Sequence, residues 1–254
     1  MFMRTNLLRI SVVALSTWLL SPTGLAGSFR TITVDGDSSD WGGVVPAYVN
    51  ENGVNNPTGV DFQEVYLAND ADFLYIRFTL QQPADPISAW NTYIWLDNDN
   101  SSATGFHPFG NPNFGSSLMI INDQAYQQAG GGWNEGTLTT AGAAYGASAI
   151  PGTDFEFKIA RNVTGVAGDF AGLPLLNGDP IGVQLASETG TADSLPGWSN
   201  YGDVYYTMAT VPEPTTFALL GVGALLFSGK LAYGRRNFGG ADGSQSAGRN
   251  HEIE

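Results

Sequence analysis

Phe73-Leu74-Tyr75-Ile76-Arg77-Phe78-Thr79-Leu80 is the stretch whose pattern decides the fold. Side chains of an extended chain alternate between its two faces, so Leu74, Ile76, Phe78 and Leu80 share one side, the expected core face. The same grammar recurs in Asp154-Phe155-Glu156-Phe157-Lys158-Ile159, with Phe155, Phe157 and Ile159 expected inward and Glu156 and Lys158 outward. Further strands are expected over residues 31–34, 64–68, 92–96, 117–121, 136–140, 144–148, 181–186 and 203–210, separated by Gly, Asn, Asp and Pro. No segment of residues 27–210 carries a sustained helical period with caps, and no internal repeat is visible. About ten short strands with glycine-rich turns in one stretch of chain imply an all-β domain, an antiparallel β-sandwich.

The two ends read differently. Residues 1–26 have the order of a signal peptide: Arg4 and Arg9 as the charged start, an apolar run from Leu7 to Leu20, and Gly24-Leu25-Ala26 as a small-x-small site, with cleavage expected after Ala26. Near the other end, Val211-Pro212-Glu213-Pro214 precedes an apolar run over residues 215–233 and then Arg235-Arg236. A run of about 19 residues is roughly 28 Å of helix, enough to reach across a hydrocarbon core of about 30 Å. Lys230 can snorkel to the headgroups, and Arg235 and Arg236 mark that end as cytoplasmic. The expected organisation is a signal peptide (1–26), a β-sandwich (27–210), a sorting signal with a transmembrane helix (211–236) and a polar, Gly/Ser-rich tail (237–254) expected to be disordered.

Taken together, Val211, Pro212, Glu213, Pro214, the apolar span, Arg235 and Arg236 resemble the PEP-CTERM sorting signal of Gram-negative bacteria. The resemblance implies recognition of the Pro-Glu-Pro motif by an exosortase, a membrane cysteine protease, and a place beside exopolysaccharide production. The chain departs from that pattern by continuing through residues 237–254 after the basic cluster.

Composition excludes several classes. The chain has no cysteine, so no disulfide staples it. Residues 27–210 hold four basic residues (Arg30, Arg77, Lys158, Arg161) against twenty acidic ones, a net of −16, which repels nucleic acid and anionic lipid and suits solubility or divalent cations. The histidines are His107 and His251 alone, and no Gly-x-Ser-x-Gly elbow is present, so neither a serine triad nor a histidine-based zinc site is expected. No pair of carboxylates stands out for glycoside hydrolysis. No catalytic residue is assigned.

Two turns cluster carboxylates. Asp35-Gly36-Asp37-Ser38-Ser39-Asp40-Trp41 follows the first expected strand, and Asp97-Asn98-Asp99-Asn100-Ser101 follows Tyr93-Ile94-Trp95. Asp97, Asp99 and Ser101, and less so Asp35, Asp37 and Asp40, are candidate calcium ligands, because alternating oxygens in a turn suit a hard cation. The alternative is Asx turns, in which these side chains bond their own backbone. The second turn is not an EF-hand: glycine is missing at the sixth loop position and the twelfth is Pro108.

Those turns, with Ile32-Thr33-Val34 before the first and Ala68-Asn69-Asp70-Ala71-Asp72-Phe73-Leu74-Tyr75-Ile76 between them, resemble carbohydrate-binding module family 9 and its DOMON-like relatives across most of residues 32–210. The resemblance implies an antiparallel β-sandwich, often with bound calcium, and a sugar clamped between two aromatic side chains. By order along the chain Trp90 and Trp198 suit that role, with Trp133, after Gly130-Gly131-Gly132, a third candidate, while Trp41 and Trp95 read as packing residues. Some DOMON relatives bind haem through Met and His, but His107 with Met119 or Met208 reads as a loop histidine and core methionines, and no haem is expected. The expectation is an exported, membrane-tethered, non-catalytic glycan-binding module associated with exopolysaccharide, with exosortase, glycan and membrane as partners. The alternatives are a structural matrix protein without a specific ligand and a polysaccharide-acting enzyme.

Overall fold

The structure, a computed structural model, describes residues 25–50, 56–88, 92–129, 131–178, 180–187, 193–196 and 204–210. The expected signal peptide up to residue 24, Trp90, Trp198, the sorting motif, the membrane span and the tail lie outside the described residues. The chain divides into two units, one ending at Thr210 and one beginning at Val211; the described residues all belong to the first.

That unit is built from two sheets. The first runs in the order β1 (Leu25–Ala26), β14 (Val204–Thr207), β12 (Ile181–Ser187), β6 (Tyr93–Asp97), β7 (Leu118–Ile121), β8 (Gln124–Gln127) and β9 (Gly136–Thr137), with β13 (Asp193–Leu195) also paired to β12. The second runs β10 (Ala144–Ala147), β11 (Gly152–Ala160), β5 (Phe73–Ala84), β4 (Phe62–Asn69) and β2 (Ser28–Phe29), with β3 (Tyr48–Val49) on β4. All pairs are antiparallel except β1 with β14 and β2 with β4. Helical turns among the described residues are three short 3-10 segments.

The alternation read from β5 and β11 holds. Leu74, Ile76, Phe78, Phe155, Phe157 and Ile159 join Ile94, Leu96, Leu118, Ile120, Val183 and Leu185 from the first sheet in one buried core, so the two sheets pack inner face to inner face. Phe78 stacks between Phe155 and Phe157 at 5.5 and 5.4 Å between ring centroids.

One expected strand is not a strand. Residues 31–34 run without ladder pairing, over the outer face of the second sheet, where Ile32 packs with Trp41, Val44, Ala68 and Tyr75. The Thr33 N–H is taken by the Asp40 carboxylate at 2.9 Å rather than by a neighbouring strand. Glu156 does point away from the core, as read, yet it is only 1% exposed, because this segment covers it. Its carboxylate accepts hydrogen bonds from Trp41 Nε1 (2.6 Å), the Gly36 N–H (2.9 Å) and the Asp35 N–H (3.3 Å).

Where the domain's last strand ends, Asn69 of β4 holds the departing chain. Its Oδ1 accepts from the Ala209 N–H (2.8 Å) and Tyr206 Oη (2.7 Å), and its Nδ2 donates to the Ala209 carbonyl (2.9 Å). Gly27 lies against the same point: a Cβ there would come within 2.5 Å of the Ala209 nitrogen.

Replacing Glu156 by alanine strands an indole N–H and two backbone N–H groups under the 31–44 segment. Buried donors without partners cost about 1–3 kcal/mol each, part of which water recovers, so Glu156→Ala should lower the unfolding free energy by about 3 kcal/mol in a denaturant titration.

Candidate functional site

The outer face of the first sheet carries an aromatic surface. Strand β6 is apolar on both sides: Ile94 and Leu96 enter the core, while Tyr93 and Trp95 face outward and are nevertheless buried, at 4% and 0% exposure. They pack with Met119 and Ile121 of β7 and with Phe114, Phe106 and Tyr126. Phe114 and Phe106 come from the long loop over residues 98–117, which folds back on the sheet. Gly182 of β12 makes room for it, since a Cβ there would lie 3.1 Å from the Phe114 ring.

Two aromatic side chains stand exposed on this base, Trp133 at 45% and Phe109 at 41%. Trp133 contacts Trp95, Phe106 and Tyr93 at centroid separations of 5.3, 5.6 and 5.8 Å. Phe109 meets Tyr93 and Trp95 edge-on at 6.2 and 6.4 Å. Edge-to-face contacts of this kind fix ring orientation, so the exposed faces are held in place.

Local chemistry pins both. Trp133 sits in the turn between β8 and β9, where the buried Gln128 accepts from the Asn134 N–H through its side chain (3.1 Å) and Glu135 accepts from the Gly132 N–H (3.2 Å). Phe109 lies in the turn Pro108–Gly110 with φ 50° and ψ 25°, a left-handed backbone that costs a bulky residue about 1–3 kcal/mol. The turn is closed by the Asn111 N–H donating to the Pro108 carbonyl (2.9 Å) and by His107 Nδ1 donating to the Asn111 carbonyl (3.0 Å). An exposed apolar ring held in a strained conformation is the sort of exception that marks a working surface.

Beneath and beside these rings lie buried polar atoms with no hydrogen-bond partner among the described residues: Trp95 Nε1, Gln184 Oε1, Asn111 Nδ2 and Gln128 Nε2. Gln184 is paired in register with Trp95 and therefore shares its face. Such groups are uncommon in folded proteins and are commonly met by ordered water.

The acidic turns behave unequally. Asp35, Asp37 and Asp40 act as turn caps, accepting from the backbone N–H groups of Asp37, Ser39 and Thr33 at 2.9, 3.0 and 2.9 Å. Asp97 is buried at 1% exposure and accepts from the Gly115 and Asp99 N–H groups, both at 3.2 Å. The exposed Asp99 accepts from Thr104 Oγ1 at 2.8 Å, and the Ser101 carbonyl accepts from the same hydroxyl at 3.2 Å. Among the described residues no group of three or more His, Cys, Asp or Glu side chains converges as metal ligands do. Of the three tryptophans proposed from sequence, Trp133 is on the aromatic surface; Trp90 and Trp198 are outside the described residues. Tyr93, Phe106 and Phe109 were not singled out by sequence, although the unbroken apolar run in β6 signals a strand covered on both faces.

A sandwich-like all-β domain with an open aromatic face on one sheet is thus joined, at its end, to a second recognisable segment. Residues 210–236 match the PEP-CTERM protein-sorting motif, so the chain carries a C-terminal sorting signal of that kind. The structure is also similar to a carbohydrate binding module family 9 (CBM9) from Caldicellulosiruptor kristjanssonii, solved in complex with cellotriose, at 13% identity and a TM-score of 0.44, covering 75% of this chain and 96% of that one. No curated protein matches the chain.

Titration of the buried acids gives the domain a characteristic pH response. Burial pushes the Asp97 carboxyl up to about 6, opposed by the Gly115 N–H and reinforced by Asp99. Burial likewise raises Glu156 and Asp193. These groups bind protons more tightly folded than unfolded, so their contribution to stability falls as pH rises from the ordinary carboxylate range to the raised values. Asp40 is held low by the Thr33 N–H, and Asp70, despite burial, by Tyr75 and the N–H groups of Phe73 and Asp72. Their stabilisation is complete above the ordinary carboxylate range and is lost in stronger acid. Thermal midpoints measured with a chelator present should therefore peak at about pH 4–5 and decline through about pH 6, and Asp97→Asn should flatten that decline.

Proposed function

We propose that this protein is an exported surface or matrix protein whose β-sandwich, residues 27–210, binds glycan without catalysis, and whose tail is processed by an exosortase. The observation that carries the binding role is the exposed Trp133 and Phe109 pair held on Tyr93, Trp95 and Phe106. The C–H faces of a sugar ring stack on aromatic faces, and its hydroxyls need polar partners close by. Asn134 and Glu135, half-buried in the Trp133 turn, and the exposed His107 beside Phe109 are polar groups within the same two turns. Trp90 and Trp198 remain proposed sugar contacts alongside Trp133.

Calcium belongs to the proposal at the turn after β6. Asp99 lies close enough to raise the proton affinity of Asp97, and with the Ser101 carbonyl the two carboxylates supply the hard oxygens the cation prefers. Bound there, it would neutralise a buried carboxylate and fix the base of the 98–117 loop that carries Phe106 and Phe109. The sorting role rests on the matched motif, through Pro212, Glu213 and Pro214, with Arg235 and Arg236 on the cytoplasmic side of the span. Export by the secretory route, anchoring in the inner membrane as a precursor, and delivery to the envelope surface or exopolysaccharide matrix are part of the same proposal.

Affinity electrophoresis through polysaccharide gels should show the protein retarded, with Trp133→Ala losing the effect by at least about tenfold, a cost of roughly 1.4 kcal/mol. A chelator should weaken retention and lower the thermal midpoint; unchanged retention would reduce the Asp97 turn to architecture. In cells that make an exosortase, replacing Pro212, Glu213 and Pro214 by alanine should leave the full-length form in the inner membrane. Normal release of that variant would remove the exosortase from the account.

A further inference from the structure

The charge map of the domain discriminates among glycans. All four cations of residues 27–210 belong to the second sheet: Arg77 is in β5, Lys158 in β11, and Arg30 and Arg161 directly follow β2 and β11. Each is engaged there. Arg77 pairs with Asp154 through two nitrogens at 2.8 and 2.6 Å, and Arg30 donates to the Asp40 and Gly42 carbonyls at 2.5 and 2.6 Å. Arg161 donates to the Asp70 carbonyl at 2.7 Å, and Lys158 stands 4.9 Å over the Phe73 ring. The first sheet and the loops that bear Trp133 and Phe109 contain no basic residue. Their carboxylates are those of Asp97, Asp99 and Glu135, with Asp123 at the turn between β7 and β8 and Asp193 in β13, and His107 supplies the one imidazole.

We infer that the Trp133 and Phe109 surface takes glycan segments free of acidic groups, neutral or N-acetylated sugars, and rejects chains bearing uronates or sulfates. This rests on the glycan-binding reading above and names the class of ligand for that site. An acidic sugar laid on these rings would lose water from its charge with no cation to replace it, and it would approach a domain of net −16. Discrimination of this kind is repulsive as much as attractive. What the surface offers instead is matched to uncharged groups: ring faces for C–H bonds, and the half-buried Asn134 amide and the exposed His107 imidazole for hydroxyls and acetamides.

The test uses the full chain in detergent at low ionic strength, run through gels of three neutral polymers (hydroxyethylcellulose, glucomannan and the N-acetylated glycol chitin) and three acidic ones (carboxymethylcellulose, polygalacturonate, alginate). The expected result is retardation by at least one neutral polymer, at least tenfold weaker in Trp133→Ala and restored in Trp133→Phe, with none by the acidic set. The cellulose pair is decisive where hydroxyethylcellulose binds, because the backbone is shared and the carboxylate is the difference. Retardation by acidic polymers as strong as by neutral ones overturns the inference and leaves glycan binding intact. No retardation by any of the six overturns both.

Discussion

Each sheet of this domain is covered on part of its outer face as well as on its inner one, and the rest of the architecture answers to that constraint. The inner faces meet in a single core, but the outward residues Tyr75 and Ala68 on one sheet and Tyr93, Trp95, Met119 and Ile121 on the other are too apolar to leave in water. Each sheet is therefore overlaid by a returning segment, residues 31–44 on the second and 98–117 on the first. With no disulfide to fix them, these coverings are held by buried carboxylates aimed at backbone N–H groups: Glu156 under one, Asp97 under the other. The two carboxyls are raised above their ordinary range for the same reason, burial. The anchoring of the loops and the acidity of their anchors are one fact.

Legibility from sequence follows the same division. Strands β5 and β11 were readable because each has one face of unbroken apolar residues and one of mixed character, so period two is plain. Strand β8 was not, because its inward positions are Ala125 and Gln127. The Gln127 side chain sits in the core at 0% exposure, satisfied by the Val166 and Ala167 N–H groups and the Ala167 carbonyl. A polar side chain buried by long-range bonds erases alternation without disturbing the strand. Residues 31–34 failed in the opposite sense: they have strand composition, but their apolar side chains serve a covering segment whose hydrogen bonds go to side chains.

The candidate site shows a comparable split. Trp133 was visible as a lone large ring among glycines, whereas Phe106 and Phe109 were hidden in a Gly/Asn/Pro-rich stretch that reads as simple loop. Their role depends on the base formed by Tyr93 and Trp95, which lies outside the loop. The acidic turn at Asp35–Asp40 was legible as chemistry of one of two kinds, and its bonds are those of backbone capping. At Asp97 a carboxylate is both cap and buried charge, a combination set by how the 98–117 loop packs rather than by neighbouring residues.

The Asn69 side chain has a mechanical consequence. Tension applied to the chain beyond Thr210 reaches Ala209 first, where Asn69 grips both the N–H and the carbonyl, before it can load the ladder of β14. Because Asn69 is in β4, that pull is handed to the second sheet, next to the longest strand of the domain, and not to the short edge formed by β1 and β14. A pull at the exit point is thereby taken up in the body of the second sheet before the edge of the first is peeled.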